Sequence, residues 1–257
     1  MAVVPQTNAY NTLNDLIERH NRRLALSDFE FAKIIRDAKK MGFPLNRLTE
    51  GVANVVYGRI DEGLSLIEPH VWESGAEYAN MYCQLLKAHH KIDKLIDVVF
   101  DLSALYSHSK SLSDIALSVA SNMGDLALMN KCLEEYLSLL SEDEGRSRLL
   151  KNEISFREHL SKLFDAKLCS EAHIKKLFLY SQRVLSSNPV RLIDICIATG
   201  DNSYVVKVMD VSSKEIVKMN NLLAEMVCLD EELDDCQLIA RFSHLNNNDT
   251  ELLEHAY

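Results

Sequence analysis

The chain has 257 residues, of which 47% are hydrophobic and 26% charged, and its formal net charge is −10. This composition can build an apolar core, no apolar run approaches the roughly 18 residues of a membrane span, and the acidic balance argues against non-specific coating of nucleic acid. The first residues lack the order of a signal peptide and the six cysteines form no Cys-x-x-Cys pair, so we expect reduced thiols in a cytoplasmic protein.

The first 43 residues predict N-terminal capping helices. Ser27 and Asp28 precede a segment with apolar residues on one helical face, and Gly42 follows that segment. Ser and Asp are preferred N-caps, and glycine commonly ends a helix. We therefore expect a capped helix between these two points.

A turn residue followed by an aliphatic pair then recurs at near-constant spacing. The turns fall at Gly58, His90 and Gly124, which are 32 and 34 residues apart, and a fourth at Gly200 lies about two steps further on. A period of this size indicates stacked helical hairpins, because one helical pair cannot bury its apolar face alone. Residues 44–145 are the predicted repeat region.

The charged segment that ends at Gly145 is the predicted boundary with a C-terminal helical region, residues 146–257. The repeats before it are acidic, residues 146–191 are basic, and the tail over 230–257 is acidic again. Cap and stop residues predict further helices in this region, which could also continue the solenoid. They cover residues 188–200, 204–208, 212–229 and 236–245.

The repeats resemble the tetratricopeptide motif, a helical pair of about 34 residues. That motif has small residues at its eighth and twentieth positions, and Gly51 and Gly63 occupy them when Gly58 is the fifteenth. The later hairpins place Cys83, Leu95, Leu117 and Met129 there. The resemblance covers about residues 44–142 and implies an all-α protein, a right-handed superhelix of hairpins.

In that family the first helix of each hairpin lines a concave face, so the resemblance implies a stripe that binds a partner. An ordinary solvated face is the alternative. In the second and third hairpins the stripe consists of Glu77, Asn80, Gln84, Lys87, Ser111, Asp114, Ser118 and Ser121. In the first hairpin the stripe is apolar, so we expect residues 13–41, or a partner, to cover it. Its members are Leu45, Leu48, Val52 and Val55.

A segment of about 45 residues in the C-terminal region resembles the FlhD subunit of the bacterial flagellar transcription regulator. The resemblance implies a regulator that acts on transcription through a protein complex. The matching residues are Leu179, Gln182, Arg183, Ser213, Ile216, Val217, Lys218 and Met219.

The basic band over 146–191 has three interpretations. It could contact nucleic acid, it could contact an acidic partner that includes a second copy of this chain in a homodimer, or it could be a solvated helix face. The candidate contact residues are Lys175, Lys176, Arg183 and Arg191.

Nothing in the sequence carries a recognised catalytic or cofactor motif. A phosphate loop, a nucleophile elbow, a zinc helix and a dinucleotide fingerprint are all missing. His89 and His90 are adjacent, and neighbouring residues on a helix point about 100° apart, so they do not share a metal ion. We expect no cofactor and no metal.

The sequence therefore predicts a non-enzymatic adaptor, chaperone-like or regulatory protein that binds a protein partner through a concave helical surface. A transcription regulator whose C-terminal helices contact DNA or a DNA-binding subunit is the alternative, and an enzyme with dispersed catalytic residues comes third. Trp72, the single tryptophan, is expected to wedge between repeats, or to anchor a partner if it is exposed.

Overall fold

A computed structural model describes residues 6–188, 190–198 and 202–244. Within these ranges the chain forms eleven α-helices and three β-strands. The helices are α1 Gln6–Asn21, α2 Asp28–Ala38, α3 Leu45–Tyr57, α4 Ile60–Ile67, α5 Ala76–Ala88, α6 Ile92–Leu105, α7 Lys110–Met123, α8 Leu126–Leu139, α9 Arg146–Asp165, α10 Glu171–Ser186 and α11 Ser213–Cys228. The strands are β1 Arg191–Ala198, β2 Ser203–Met209 and β3 Ile239–His244.

The chain divides into two compact units. The first comprises Met1–His89 with Asp97–Leu112, and the second comprises His90–Ile96 with Ser113–Tyr257. The division falls within α6 and α7, and Gly145 lies inside the second unit. The domain boundary that the sequence suggests at Gly145 stays a prediction.

Helices α3 and α4 of the first unit cross at two glycines, as the sequence predicts. A β-carbon at Gly63 would lie 2.5 Å from the carbonyl oxygen of Gly51, and a β-carbon at Gly51 would lie 2.9 Å from the carbonyl oxygen of Gly63. Gly58, the residue between the helices, has φ of +101°, a left-handed conformation in which glycine has no steric penalty. The hairpin therefore needs glycine at three positions.

The apolar stripe of α3 is covered by the N-terminal helices, which confirms that expectation. Both α1 and α2 contact α3, and Leu48, Val52 and Val55 are buried. Leu45 packs against Ala38 and Met41 at the end of α2. These residues form part of the core of the first unit.

The starts of α2 and α11 follow the predicted caps. The Ser27 hydroxyl accepts the Glu30 N–H at 3.3 Å while the Glu30 carboxylate accepts the Ser27 N–H at 2.9 Å. The Ser27 N–H and hydroxyl, which both donate to the Glu30 carboxylate, and the Arg19 guanidinium lower the pKa of Glu30 to about 2. Ser212 and Glu215 form the same reciprocal pair at the start of α11.

The C-terminal region is not all-helical, and three helix predictions are wrong. The segment predicted as a helix over 188–200 contains β1, the segment over 204–208 lies in β2, and the segment over 236–245 contains β3. Gly200, the predicted fourth turn, lies outside the described residues. The protein is thus mainly helical with one small sheet.

Strand β2 is the central strand of this sheet. It pairs antiparallel with β1, with Cys196 opposite Val205, and parallel with β3, with Val206 opposite Phe242. Helix α11 connects β2 to β3 and packs on β3. The Asn220 side chain on α11 accepts the Phe242 N–H at 2.6 Å and donates to the Phe242 carbonyl at 3.2 Å, so it pairs with the backbone of β3 as another strand would.

Across the described ranges, no helix combines the length and the apolar content that a transmembrane segment needs.

Candidate functional site

The first unit has an open groove at the start of α5, and three of the predicted partner-binding residues line it. Its volume is about 480 Å³. The predicted residues that meet there are Glu77 and Asn80 on α5 and Ser111 on α7. The other lining residues are Ala76, Leu105, Tyr106, Ser107, His108 and Ser109.

The turn that joins α6 to α7 forms one side of the groove. The Tyr106 hydroxyl donates to the Val71 carbonyl at 3.0 Å and accepts the Gly75 N–H at 3.3 Å, which ties this turn to the residues before α5. Ser109 accepts the Leu112 N–H at 3.4 Å at the start of α7. Both walls of the groove therefore have fixed backbone positions.

The groove offers an apolar surface, because Leu105 is 53% exposed. The Asn80 Oδ1 atom is buried and has no hydrogen-bond partner among the described residues, so Asn80 contributes other atoms to the groove lining.

The remaining stripe residues lie elsewhere. Gln84 and Lys87 are exposed on α5 but do not line the groove. Trp72 is 46% exposed. From the sequence, an exposed Trp72 is expected to anchor a partner, and a buried one to wedge between repeats. Trp72 too lies outside the groove lining.

The rest of the α7 stripe belongs to the second unit, where the chain's own helices contact it. The Ser121 hydroxyl donates to the Glu153 carboxylate on α9 at 3.3 Å. Asp114 hydrogen-bonds Tyr136 on α8. Ser118 is half-buried. Glu153, the partner of Ser121, is also half-buried, and this burial raises the pKa of its carboxyl group. This part of the stripe is engaged within the second unit.

The basic candidates differ in their surroundings. The Lys176 ammonium bonds both Asp230 oxygens, at 2.9 and 2.7 Å, and lies 2.8 Å from Glu232. Tyr180 donates to Asp230 at 2.6 Å, and with Lys176 it lowers the pKa of Asp230 to about 2. Lys176 therefore fastens α10 to the residues after α11.

Two other basic candidates are exposed on α10. Lys175 projects from the same helix as Lys176. The Arg183 guanidinium stacks on the Tyr180 ring at 5.5 Å. Arg191 is the first residue of β1, and its side chain lies outside the described residues.

His89 and His90 have different partners. His89 Nε2 lies 3.0 Å from Nε2 of His20 on α1, and His90 Nδ1 lies 3.0 Å from Oε1 of Gln182 on α10. No group of three or more His, Cys, Asp or Glu side chains suited to a metal ion occurs in the part of the chain that the structure describes. The sequence gives no sign of the His20 contact, because 69 residues separate it from His89.

The histidine pair predicts a pH-dependent stability of the first unit. Burial, aided by the Arg23 charge, lowers the pKa of His20 below its ordinary value of 6.5, so the unfolded chain binds more protons than the folded chain below that pH. Stability is therefore complete above about pH 6.5 and falls as the pH drops below it. We expect the urea midpoint to decline from pH 7.5 to 5.5, and His20→Gln to reduce that decline.

The control is His108→Gln, because His108 is an exposed histidine of the same unit. Its pH profile is expected to follow that of the unaltered protein. Profiles for His20→Gln and His108→Gln that coincide would contradict the assignment.

Comparison of the chain with protein-family models, with curated proteins and with solved structures finds no match.

Proposed function

We propose that the protein is a non-enzymatic interaction module that binds an extended segment of a protein partner in the groove at the start of α5. The observation that carries the proposal is the meeting of Glu77, Asn80 and Ser111 in one open groove. The tetratricopeptide resemblance assigns Glu77 and Asn80 to the binding stripe of the second hairpin and Ser111 to that of the third.

The groove chemistry supports an extended segment with an apolar side chain. Leu105 and the Tyr106 ring would receive that side chain, and burial of apolar area contributes about 25 cal/mol per Å². The Glu77 carboxylate would favour a basic residue next to it, and so gives the groove a charge preference.

The tetratricopeptide assignment and the right-handed superhelix are part of this proposal. The glycine crossing of α3 and α4 and the short turn between them support it. The alternative of a DNA-contacting regulator gains no support from Lys176, since two carboxylates already surround its ammonium group. An adaptor is therefore the function we favour.

The test is selection of peptides from a random display library on the full chain, followed by measurement of the affinity of the selected peptides for the chain. Leu105→Ser is expected to weaken binding at least about tenfold, which is the usual size of an effect at an interface anchor. The matched control is Phe29→Ser, because Phe29 is 80% exposed in the same unit and lies outside the groove.

Unchanged affinity for the Phe29→Ser variant and lost affinity for the Leu105→Ser variant is the supporting result. Equal affinities for both variants, or a library that yields no binder, would contradict the proposal.

A further inference from the structure

Two cysteines of the second unit lie beside a single backbone hydrogen bond. The Gln237 N–H donates to the Leu168 carbonyl at 2.8 Å. This bond joins the peptide group just before Cys169 to the peptide group just after Cys236. Both peptide groups are trans. In a trans peptide the carbonyl oxygen is on the side of the following α-carbon and the N–H on the side of the preceding one. The α-carbons of the two cysteines therefore flank the same bond.

This arrangement matches the reach of a disulfide. In antiparallel strand pairs, α-carbons that flank a backbone hydrogen bond in this way are about 4.5–5.5 Å apart, and disulfides join α-carbons about 4.4–6.8 Å apart, so a spacing of that kind at Cys169 and Cys236 would permit a disulfide. The backbone on both sides is fixed locally. Ser170, next to Cys169, accepts the His173 N–H at 3.2 Å, and the Cys236 N–H donates to Leu233 at 2.9 Å.

Burial raises the pKa of both thiols, and that of Cys169, to which the charge of Cys236 also contributes, rises to about 12. Each thiol must therefore lose its proton before it reacts, and oxidation is expected to be faster at higher pH. Cys169 is buried while Cys236 is half-buried, so an oxidant in solvent reaches Cys236 first.

We propose that Cys169 and Cys236 form a redox-sensitive pair that a peroxide converts into a disulfide. The Cys236 thiolate attacks one peroxide oxygen, which gives a sulfenic acid and releases water from hydrogen peroxide. The Cys169 thiolate then attacks that sulfur and displaces a second water. Two thiols and one hydrogen peroxide thus become one disulfide and two waters, and a dithiol reductant reverses the reaction.

The bond would close a long loop that contains α10, β1, β2 and α11. Cross-links across long loops stabilise a fold mainly by restricting the unfolded chain. The oxidised second unit would consequently resist unfolding more than the reduced one, so that the oxidation state of the cell would set the stability of this unit.

The test treats the full chain with hydrogen peroxide, blocks the remaining thiols with an alkylating reagent, and maps the peptides by mass spectrometry. We expect one cross-linked peptide pair containing Cys169 and Cys236, and a higher urea midpoint that dithiothreitol returns to its original value. Cys228→Ser, which removes an exposed cysteine, is expected to leave both results unchanged. Cys236→Ser is expected to abolish both.

Three results would overturn the proposal. One is full alkylation of Cys169 after peroxide treatment that oxidises Cys236. A second is cross-linking between chains instead of within one chain. The third is an unchanged peroxide-induced rise of the urea midpoint in the Cys236→Ser variant. Because Cys236 is only half-buried, its serine variant is expected to fold, and circular dichroism of the reduced protein checks this.

Discussion

Replacement of Gly63 with alanine is expected to lower the free energy of unfolding by about 2 kcal/mol, which is in the range for overpacked sites. The new β-carbon would lie 2.5 Å from the Gly51 carbonyl oxygen and 2.7 Å from Val55 Cγ2. The carbonyl belongs to the backbone of α3, so α3 and α4 must separate. The loss would occur although alanine favours a helix by about 1 kcal/mol over glycine. Urea unfolding at pH 7.5 measures it.

The matched control for this experiment is Gly42→Ala. A β-carbon at Gly42 would meet no atom within 4 Å, so the change in unfolding free energy is expected to stay within about 0.5 kcal/mol. A Gly63→Ala protein as stable as the Gly42→Ala protein would show that α3 and α4 do not cross at these glycines.

The second large effect is expected at Gly124, the turn after α7, where alanine meets two obstacles. Its φ is +68°, and its β-carbon would lie 2.7 Å from Ile174 Cγ2 and 2.9 Å from Ile174 Cβ on α10. The left-handed backbone costs about 1–2 kcal/mol for any residue with a β-carbon. The collision adds about 1–3 kcal/mol. We expect Gly124→Ala to lose about 3 kcal/mol of unfolding free energy in total.

Gly145→Ala separates the two obstacles. Gly145 has φ of +77° but no atom within 4 Å of its β-carbon, so only the backbone penalty applies. The second unit contains both glycines. Equal losses at Gly124 and Gly145 would contradict the packing against Ile174. A double-mutant cycle with Ile174→Ala measures the coupling directly, because alanine lacks Cγ2, the atom nearest to the new β-carbon.

The helical hairpins of the first unit follow from local signals in the sequence. Ser27 caps α2 through atoms only three residues away, and Gly58 ends α3 where its own left-handed conformation requires glycine. The pairing of Gly51 with Gly63 is also visible in the sequence, since both lie within one hairpin. Such short-range features depend little on the rest of the fold.

The sheet could not be derived in the same way, because its pairings are distant in the sequence. Strand β2 pairs in parallel with β3 across the whole of α11, and nothing in either segment identifies the other. Val205, Val206 and Val208 favour a strand. Because the surrounding chain has a strong helical period, the pattern nevertheless predicts a helix for this short run.

The groove was predictable only in part. Glu77 and Asn80 are positions that the tetratricopeptide resemblance assigns to a binding stripe, and helical spacing places them on one face of α5. Leu105 and His108 line the groove because the turn after α6 bends toward α5, where the Tyr106 hydroxyl bonds the backbone of Val71. That bond spans 35 residues, and the sequence marks the segment only as a polar loop.

The central claim is that a partner segment binds in the groove at the start of α5. Amide hydrogen exchange of the full chain, with and without a selected peptide, tests it most directly. We predict slower exchange at residues 76–80 and 105–111, and unchanged exchange around Phe29 and around Lys175. Protection that appears around Phe29 or along α10 while residues 76–80 and 105–111 exchange as before would contradict the claim.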